Sequence, residues 1–468
     1  MTLLGIDIGS SFIKGGVLEL DDLRIRDIVR EPFPDPIIGL PAGYFEVDPI
    51  AIVKAVEQVV TRLLTLAPGC SGILFCGQMG GVVLADPHGE PLTNYLSWRD
   101  QRTTLNQSDC SDASANSPVR TFYEAALDRL GMHELQSVGN ELKPGSLTTL
   151  LSWLEDQGKL PTLGTPLNIG DFVVSRMCRS TPRFEITQAI GLIDLATLDW
   201  RRAAFEKLGI ANLDWPSVTE FRSQSGAFCW QGREIPCYPV IGDQQAALAG
   251  ALLADGELSL NVSTGSQVSM LTREVRVGEF QTRPFFDGWL LNTITHLPAG
   301  RSLEVLVDLF NELPRAAGQP IADPWPLIAR AAEGTSDSEL SMALTFFAGP
   351  LGERGRVDGI SVDNLTVGGL FRAAFRNMAE NYDICSRRIS PQRDWSRIVF
   401  SGGLVQKLPL LREFIVERLG SSFRLCPSTE DALFGLMVLG HVVTGRSKTV
   451  AEAAGRIARD SQLAGQTS

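Results

Sequence analysis

One local pattern occurs twice in this chain, and it limits the fold more than any other feature. Two short apolar runs, Leu3-Leu4-Gly5-Ile6-Asp7-Ile8 and Phe12-Ile13-Lys14-Gly15-Gly16-Val17-Leu18, are joined at Gly9-Ser10-Ser11. Apolar runs of this length, broken by Gly and Ser, read as two strands and a tight turn. The stretch from Leu258 to Leu271 repeats the pattern around Ser263-Thr264-Gly265-Ser266. Such a repeat implies two related lobes, each opening on a strand pair. Length agrees, since 468 residues exceed what one hydrophobic core organises. The boundary is expected near 235–245, giving one lobe at 1–240 and a second at 241–468.

Between the two pairs, Asp48-Pro49 is a helix start signal, and Ile52, Val53, Val56, Val59, Val60 and Leu63 then recur at helical spacing to about residue 66. Residues 72–86 read as a third strand, turn and strand around Gly77-Gln78-Met79-Gly80-Gly81. Residues 101–120 are polar and read as a loop, and a more helical region, including 146–154, runs to about 215. A buried strand over 236–241 leads through Gly242-Asp243 into an Ala-rich helix over 244–253. The last third reads as a strand at 397–400, a turn at Gly402-Gly403, a helix over 408–419 and a closing helix over 430–441.

Acidic residues outnumber basic ones, 54 to 42, for a formal charge of −12. That balance excludes a general binder of nucleic-acid backbone while leaving room for one local basic site. The eight cysteines include no Cys-x-x-Cys pair and the four histidines are dispersed, so neither a zinc site nor a disulfide framework is expected. An acid interrupts the first apolar run at Asp7, unlike a signal peptide, and no stretch is long and apolar enough to span a bilayer. A cytoplasmic protein is expected.

The candidate chemistry gathers at the turns. A carboxylate at the end of a buried strand, Asp7, stands before Gly9-Ser10-Ser11, whose bare backbone lets N–H groups face phosphate oxygens. Such a carboxylate holds Mg²⁺ through water, and Lys14 on the next strand would reach the same phosphates. Taken alone, Asp7 also reads as a hydrogen-bonded turn residue. Thr264 in the second turn has the same two readings. Asp243 reads as the N-cap of the helix that follows, or as a base in an interlobe cleft that accepts a hydroxyl proton during phosphoryl transfer.

Further segments follow in order: Leu96-Ser97-Trp98-Arg99-Asp100-Gln101-Arg102, Asn168-Ile169-Gly170-Asp171-Phe172, Gly242-Asp243-Gln244-Gln245, Gly352-Glu353-Arg354 and Ser401-Gly402-Gly403. With both turns and Gly77–Gly81, this series resembles the FGGY carbohydrate kinase family across nearly the whole chain. The resemblance implies an α/β protein of two ribonuclease-H-like lobes of the actin/hexokinase/Hsp70 ATPase fold, with an interlobe cleft. It implies ATP-dependent phosphorylation of a small-molecule sugar, with Mg²⁺, no nucleic-acid or membrane partner, and a homodimer as a compatible assembly.

Carried over by residue, Asp243 would be the catalytic base, and Asp7 with Asp243 would hold the metal. Gln78, Met79, Gly80, Asp100, Asp171 and Gln244 would border the sugar. Gly9, Ser10, Ser11, Lys14, Thr264, Gly265, Gly402, Gly403 and Gln406 would contact ATP. Met79-Gly80 departs both from the Arg-Glu of glycerol kinases and from the Met-His common in xylulose kinases. Gly145 stands where glycerol kinases place a tyrosine. Both changes remove bulk, so a pocket open to a longer sugar, such as sedoheptulose or a pentulose, is expected. Ser263 replaces the usual Gly before Thr264, and the turn is expected to survive with weaker nucleotide binding. Two rival readings are a non-catalytic sugar- or nucleotide-responsive regulator on the same fold and an Hsp70-like chaperone ATPase. Asp7, Asp243 and Thr264 together argue against the regulator.

Overall fold

The computed structural model describes residues 1–105 and 120–465, with side chains to 460. The polar stretch read as a loop therefore lies mostly outside the described residues. In the first lobe, β1 (Thr2–Ile8), β2 (Phe12–Glu19) and β3 (Arg24–Pro32) form an antiparallel meander. Helix α1 (Pro49–Leu66) follows, its N-terminus capped by the Asp48 side chain, which accepts from Ile50 N. Next comes β4 (Ile73–Gly77), parallel to β1.

The helices α2 (Phe122–Ser137), α3 (Leu147–Asp156), α4 (Ile169–Cys178) and α5 (Arg202–Leu208) come before β5 (Gly226–Trp230) and β6 (Arg233–Gly242). Because β6 lies parallel to β4, the sheet order is β5-β6-β4-β1-β2-β3. The pattern at 72–86 is not a hairpin. Its second run, Val83–Ala85, leaves the main sheet to pair with Thr165–Leu167.

After α6 (Asp243–Gly250) the scheme repeats, with β7 (Glu257–Asn261), β8 (Ser266–Thr272), β9 (Gln281–Pro284) and β10 (Leu290–Leu297). Three helices, α7 (Gly300–Ala316), α8 (Trp325–Glu333) and α9 (Val367–Ile389), lead to β11 (Arg397–Ser401). Then come α10 (Gly403–Lys407), α11 (Pro409–Leu419), β12 (Phe423–Leu425), α12 (Asp431–Val443) and α13 (Val450–Gly465). The second sheet runs β9-β10-β8-β7-β11-β12. Omitting the added strands β5 and β9, both sheets read third-second-first-fourth-fifth: a meander, then two parallel strands. This is the expected pair of ribonuclease-H-like lobes. Among the described residues no helix is long and apolar enough to cross a membrane.

Strand alternation divides the cores. In β1, Leu4, Ile6 and Ile8 pack with α1 and α4, whereas Leu3 turns to the opposite face. On that face lie α6 and α12, whose other side meets Leu271, Leu291 and Val399 of the second sheet. These two helices are thus shared by both lobes, and Asp7, which follows Leu3 and Gly5 at the two-residue spacing of the strand, belongs to their side. They approach until backbones touch. A Cβ on Gly435 would stand 1.8 Å from the Ala246 carbonyl oxygen, and one on Gly250 would stand 1.9 Å from that of Asp431.

Gly435→Ala is therefore expected to lower the thermal unfolding midpoint, with an overpacking cost of about 1–3 kcal/mol. Gly455→Ala on α13 is the control, because its nearest neighbour is the flexible end of Arg459 at 3.8 Å. Equal melting of the two variants would show that the crossing tolerates a methyl group.

Candidate active site

Three parallel strands end together. Ile8 of β1 and Gly242 of β6 both pair with Gly77 of β4, so Asp7, Gln78 and Asp243 emerge at one carboxyl edge. Crevices outside such strand ends are where open α/β sheets bind ligands. Here the second lobe closes the crevice into a cavity of about 400 Å³. Asp7, Gly9, Ser10, Ser11 and Lys14 line it from the first hairpin, Asp243 and Gln244 from α6, and Asn261 and Gln267 from the second hairpin.

The cavity is rich in carboxyl groups. Burial, then the charge of Asp243, pushes the Asp7 carboxyl up to about 7, against the lowering effect of Lys14. Burial also pushes Asp243 up to about 6, offset by the Gln244 N–H, which donates to Oδ1 at 2.7 Å, and by Arg283. Asp431, at the start of α12, is raised by burial as well. Asp243 is the first residue of α6, with Gly242 in the capping position. Among the described residues no three His, Cys, Asp or Glu groups converge to hold a bare ion. The acid-rich wall instead fits a hydrated Mg²⁺ that arrives on polyphosphate, since Mg²⁺ keeps several waters and takes only one or two carboxylates.

The second turn forms with Ser263 in place. Its hydroxyl donates to Asn261 Oδ1 at 2.5 Å, and the Ser263 and Thr264 carbonyls accept from Gly300 and Arg301 N–H at 3.1 and 3.0 Å. Thr264 and Gly265 stand exposed at its tip. Beside it, Gly402 has φ +90°, and a Cβ there would meet the Val262 carbonyl oxygen at 2.4 Å. Gly402 and Gly403 are a helix start rather than a free turn: Gly403 opens α10 with nothing within 4 Å of an added Cβ, and Gln406 is exposed on that helix. Lys14 is engaged across the lobes, with Nζ 2.7 Å from Glu430 Oε2.

Residues 2–250 match the family described as "FGGY family of carbohydrate kinases, N-terminal domain". The chain belongs to the FGGY family of carbohydrate kinases. It is 26% identical over 311 residues to glycerol kinase 2 of Saccharolobus solfataricus, covering 62% of this chain and 56% of that protein. It is 22% identical over 330 residues to xylulose kinase of Lactococcus lactis, covering 66% and 62%. The matched span is thus under two thirds of these relatives' length. A gluconate kinase structure from Lactobacillus acidophilus superposes with TM-score 0.83 at 16% identity, over 97% of this chain and 92% of that one. A xylulose kinase structure from the same organism gives 0.81 at 15%. These likenesses carry the two-lobed FGGY fold.

At the end of β4, Gln78 Oε1 accepts from Trp98 Nε1 at 3.0 Å, while its buried Nε2 has no protein partner among the described residues. Met79 sulfur lies against Gly242, beside Asp243. Gly80, at φ +79°, stands by Trp98. The expected extra room at Gly145 is absent. A Cβ at 145 would sit 1.9 Å from the Trp98 carbonyl oxygen, so neighbouring backbone fills the space a larger residue would need. Gln244 is held by the second lobe: its Nε2 donates to Gln267 Oε1 at 2.7 Å and its Oε1 accepts from Arg283 Nη1 at 2.5 Å.

Asp100 and Asp171, expected to border the sugar, do not line this cavity. Asp100 is 0% exposed and its acceptors are consumed by Phe45 N, Arg102 N and the Arg102 guanidinium at 2.7–2.9 Å. It braces the loop. Asp171 faces a small separate void with Ser175, Ser180 and Arg183, not the cleft. Burial and then the neighbouring Glu185 raise its pKa well above the ordinary range, and Glu185 is itself pushed up to about 7 by burial. Asp431, Arg283 and Arg99 were not anticipated. Asp431 opens the expected closing helix, Arg99 adjoins Asp100, and Arg283 lies on a strand with no turn or periodic signal.

Because folded Asp171 binds its proton above the ordinary Asp value of 3.8, the native state holds more protons than the unfolded chain from that pH upward. Its contribution to stability therefore falls as pH rises. Asp171→Asn is expected to flatten that slope and to melt higher than the parent at pH 8. A tenfold change in acceptor KM with unchanged melting would instead place Asp171 in the sugar site.

Proposed function

We propose that this protein transfers the γ-phosphoryl group of ATP to a hydroxyl of a sugar or polyol, with Asp243 as general base. The observation that carries this reading is the single cavity enclosed by both hairpins, with Asp243 between them. Residues 1–240 form the sugar lobe in this reading, with Gln78, Met79 and Gly80 beside the acceptor and Gln244 reaching in from the junction. Residues 241–468 form the nucleotide lobe. There Thr264 and Gly265 meet the phosphates, and Gly402, Gly403 and Gln406 border the adenosine, while Gly9, Ser10, Ser11 and Lys14 face the phosphates from across the cleft.

The acceptor oxygen attacks the γ-phosphorus as the bond to the β,γ-bridging oxygen breaks. ADP departs with that electron pair, and the hydroxyl proton passes to Asp243 and then to solvent. Asp243 Oδ1 takes the Gln244 N–H, which leaves Oδ2 for the proton. Such transfers depend on positioning and charge neutralisation more than on covalent help. Magnesium bound with the nucleotide would supply charge neutralisation, held by Asp7 and Asp243. Closure of the lobes excludes water, which otherwise competes as acceptor.

Ketoses and polyols of five to seven carbons are the proposed acceptor class, with sedoheptulose and the pentuloses tried first. The absence of an Arg-Glu clamp after Gly77-Gln78 separates the pocket from the glycerol kinase pattern. The finding at Gly145 removes one reason for favouring the longest of these sugars.

A coupled assay of ADP release over sedoheptulose, D-xylulose, D-ribulose, L-ribulose, erythritol and glycerol tests the activity. Asp243→Asn is expected to lower kcat about 10²–10⁴-fold, the range for a general base, with MgADP affinity by calorimetry kept within about threefold. Near-parental turnover by that variant would remove the assignment.

A further inference from the structure

The loop at 96–102 has a second charged residue beside the sealed Asp100. Arg99 Nη2 donates to Ser10 Oγ at 2.8 Å, and Ser10 lines the cavity at the first phosphate-type turn. The guanidinium carbon lies 5.5 Å from the Phe45 ring centroid and 5.6 Å from that of Trp98, within cation–π range of both. Trp98 is itself fixed by its bond to Gln78. Arg99 is thus anchored between the phosphate turn and the sugar wall. The buried Tyr95 phenol donates to the same Gln78 oxygen at 3.4 Å, which fixes the Trp98 side of this arrangement further.

Its charge is also uncommitted. Lys14, the other basic residue at this turn, pairs with Glu430, and Arg102 in the same loop pairs with Asp100 and Glu46. Among the described residues Arg99 has no carboxylate partner within ion-pair distance. A half-buried cation without a carboxylate partner, bonded to a serine that lines the same cavity as Asp7 and Asp243, is suited to an anion that occupies the space only part of the time. The planar fork can keep Ser10 on one N–H and present others to phosphoryl oxygens in fixed geometry, whereas a lysine offers three rotatable donors on a single nitrogen.

We propose that Arg99 is a catalytic residue of the phosphoryl transfer, donating from the acceptor side to the oxygens of the γ-phosphoryl group in transit. This rests on the kinase reading above. Arg99 exchanges neither proton nor electron pair. The bonds made and broken are those of the transfer itself, and the guanidinium stabilises charge spread over the equatorial oxygens.

The test uses the full chain and its Arg99→Ala, Arg99→Gln and Arg99→Lys variants. With the best acceptor of the sugar panel, Arg99→Ala is expected to lose about 10²–10³-fold in kcat, the scale for one transition-state donor, while acceptor KM stays within about threefold. Guanidinium chloride at millimolar concentration is expected to restore part of the rate to Arg99→Ala and none to Asp243→Asn. Calorimetry supplies a readout apart from turnover: the parent should bind MgADP more tightly when aluminium fluoride is present, and the alanine variant should lose that gain while binding MgADP alone as before. Arg99→Gln keeps a polar stem and carries the same comparison if the alanine variant does not fold. A kcat within about threefold of the parent, or a raised KM with kcat unchanged, would overturn the proposal and leave the kinase reading intact. A parent that releases no ADP with any sugar, and shows no gain with aluminium fluoride, would sink both.

Discussion

The crossing of α6 and α12 is the contact on which the cleft depends. Each helix begins with an aspartate whose Oδ1 accepts from the next backbone N–H, Asp243 from Gln244 at 2.7 Å and Asp431 from Ala432 at 2.8 Å. Each is packed between both sheets, so the distance between lobes is the distance at which these helices meet. Glycine at 250 and at 435 lets their backbones touch. Larger residues there would push the lobes apart, and the two hairpins would no longer face one cavity. A short Ala-rich helix, unremarkable by propensity, is explained by this demand for proximity.

Proximity has an electrostatic consequence. Asp7, Asp243 and Asp431 are carried to one enclosed space, where burial and, for Asp7, the charge of Asp243 favour the protonated form. A fold selected for stability alone would replace such groups with neutral ones. Lys14 and Arg283 offset part of the cost, and positive charge entering with a ligand would offset more. A polyphosphate with its hydrated cation has that character, and helix N-termini behind Asp243 and Asp431 add a favourable field for anionic groups.

What the sequence made legible is what local chemistry controls. The two hairpins follow from apolar runs and small turn residues, and α1 follows from Asp48-Pro49 and its helical spacing. The junction at Asp243 follows from a strand that runs directly into a helix. Assignments that needed contacts between distant segments went differently. In an irregular loop no periodicity tells which side chain faces inward, and nothing local shows that the Asp100 carboxylate is taken up by Phe45 N and Arg102. Asp171 lies on a helix whose inner face meets Glu185 rather than the cleft. The small residue at 145 suggested space, but Trp98 backbone already fills it. The runs at 72–86 look like a hairpin because nothing local shows that Val83–Ala85 pairs with Thr165–Leu167.

The lobes touch again away from the helix crossing. Thr282 N donates to the Gly139 carbonyl at 3.0 Å, and Asn140 donates to the Phe280 carbonyl at 3.2 Å. Beside them Arg283 pairs with Glu141, both buried, while another of its nitrogens holds Gln244 next to Asp243. A buried ion pair is weak glue, because separating it returns two ions to water and recovers most of what burial cost. It is a good register pin, because any misaligned closure leaves a charge unpaired. At this second contact, apart from the apolar core around α6 and α12, such a pair fixes the arrangement of Gln244 beside Asp243. In the proposed kinase, which would admit an acceptor, exclude water and release a charged product, that combination is an advantage.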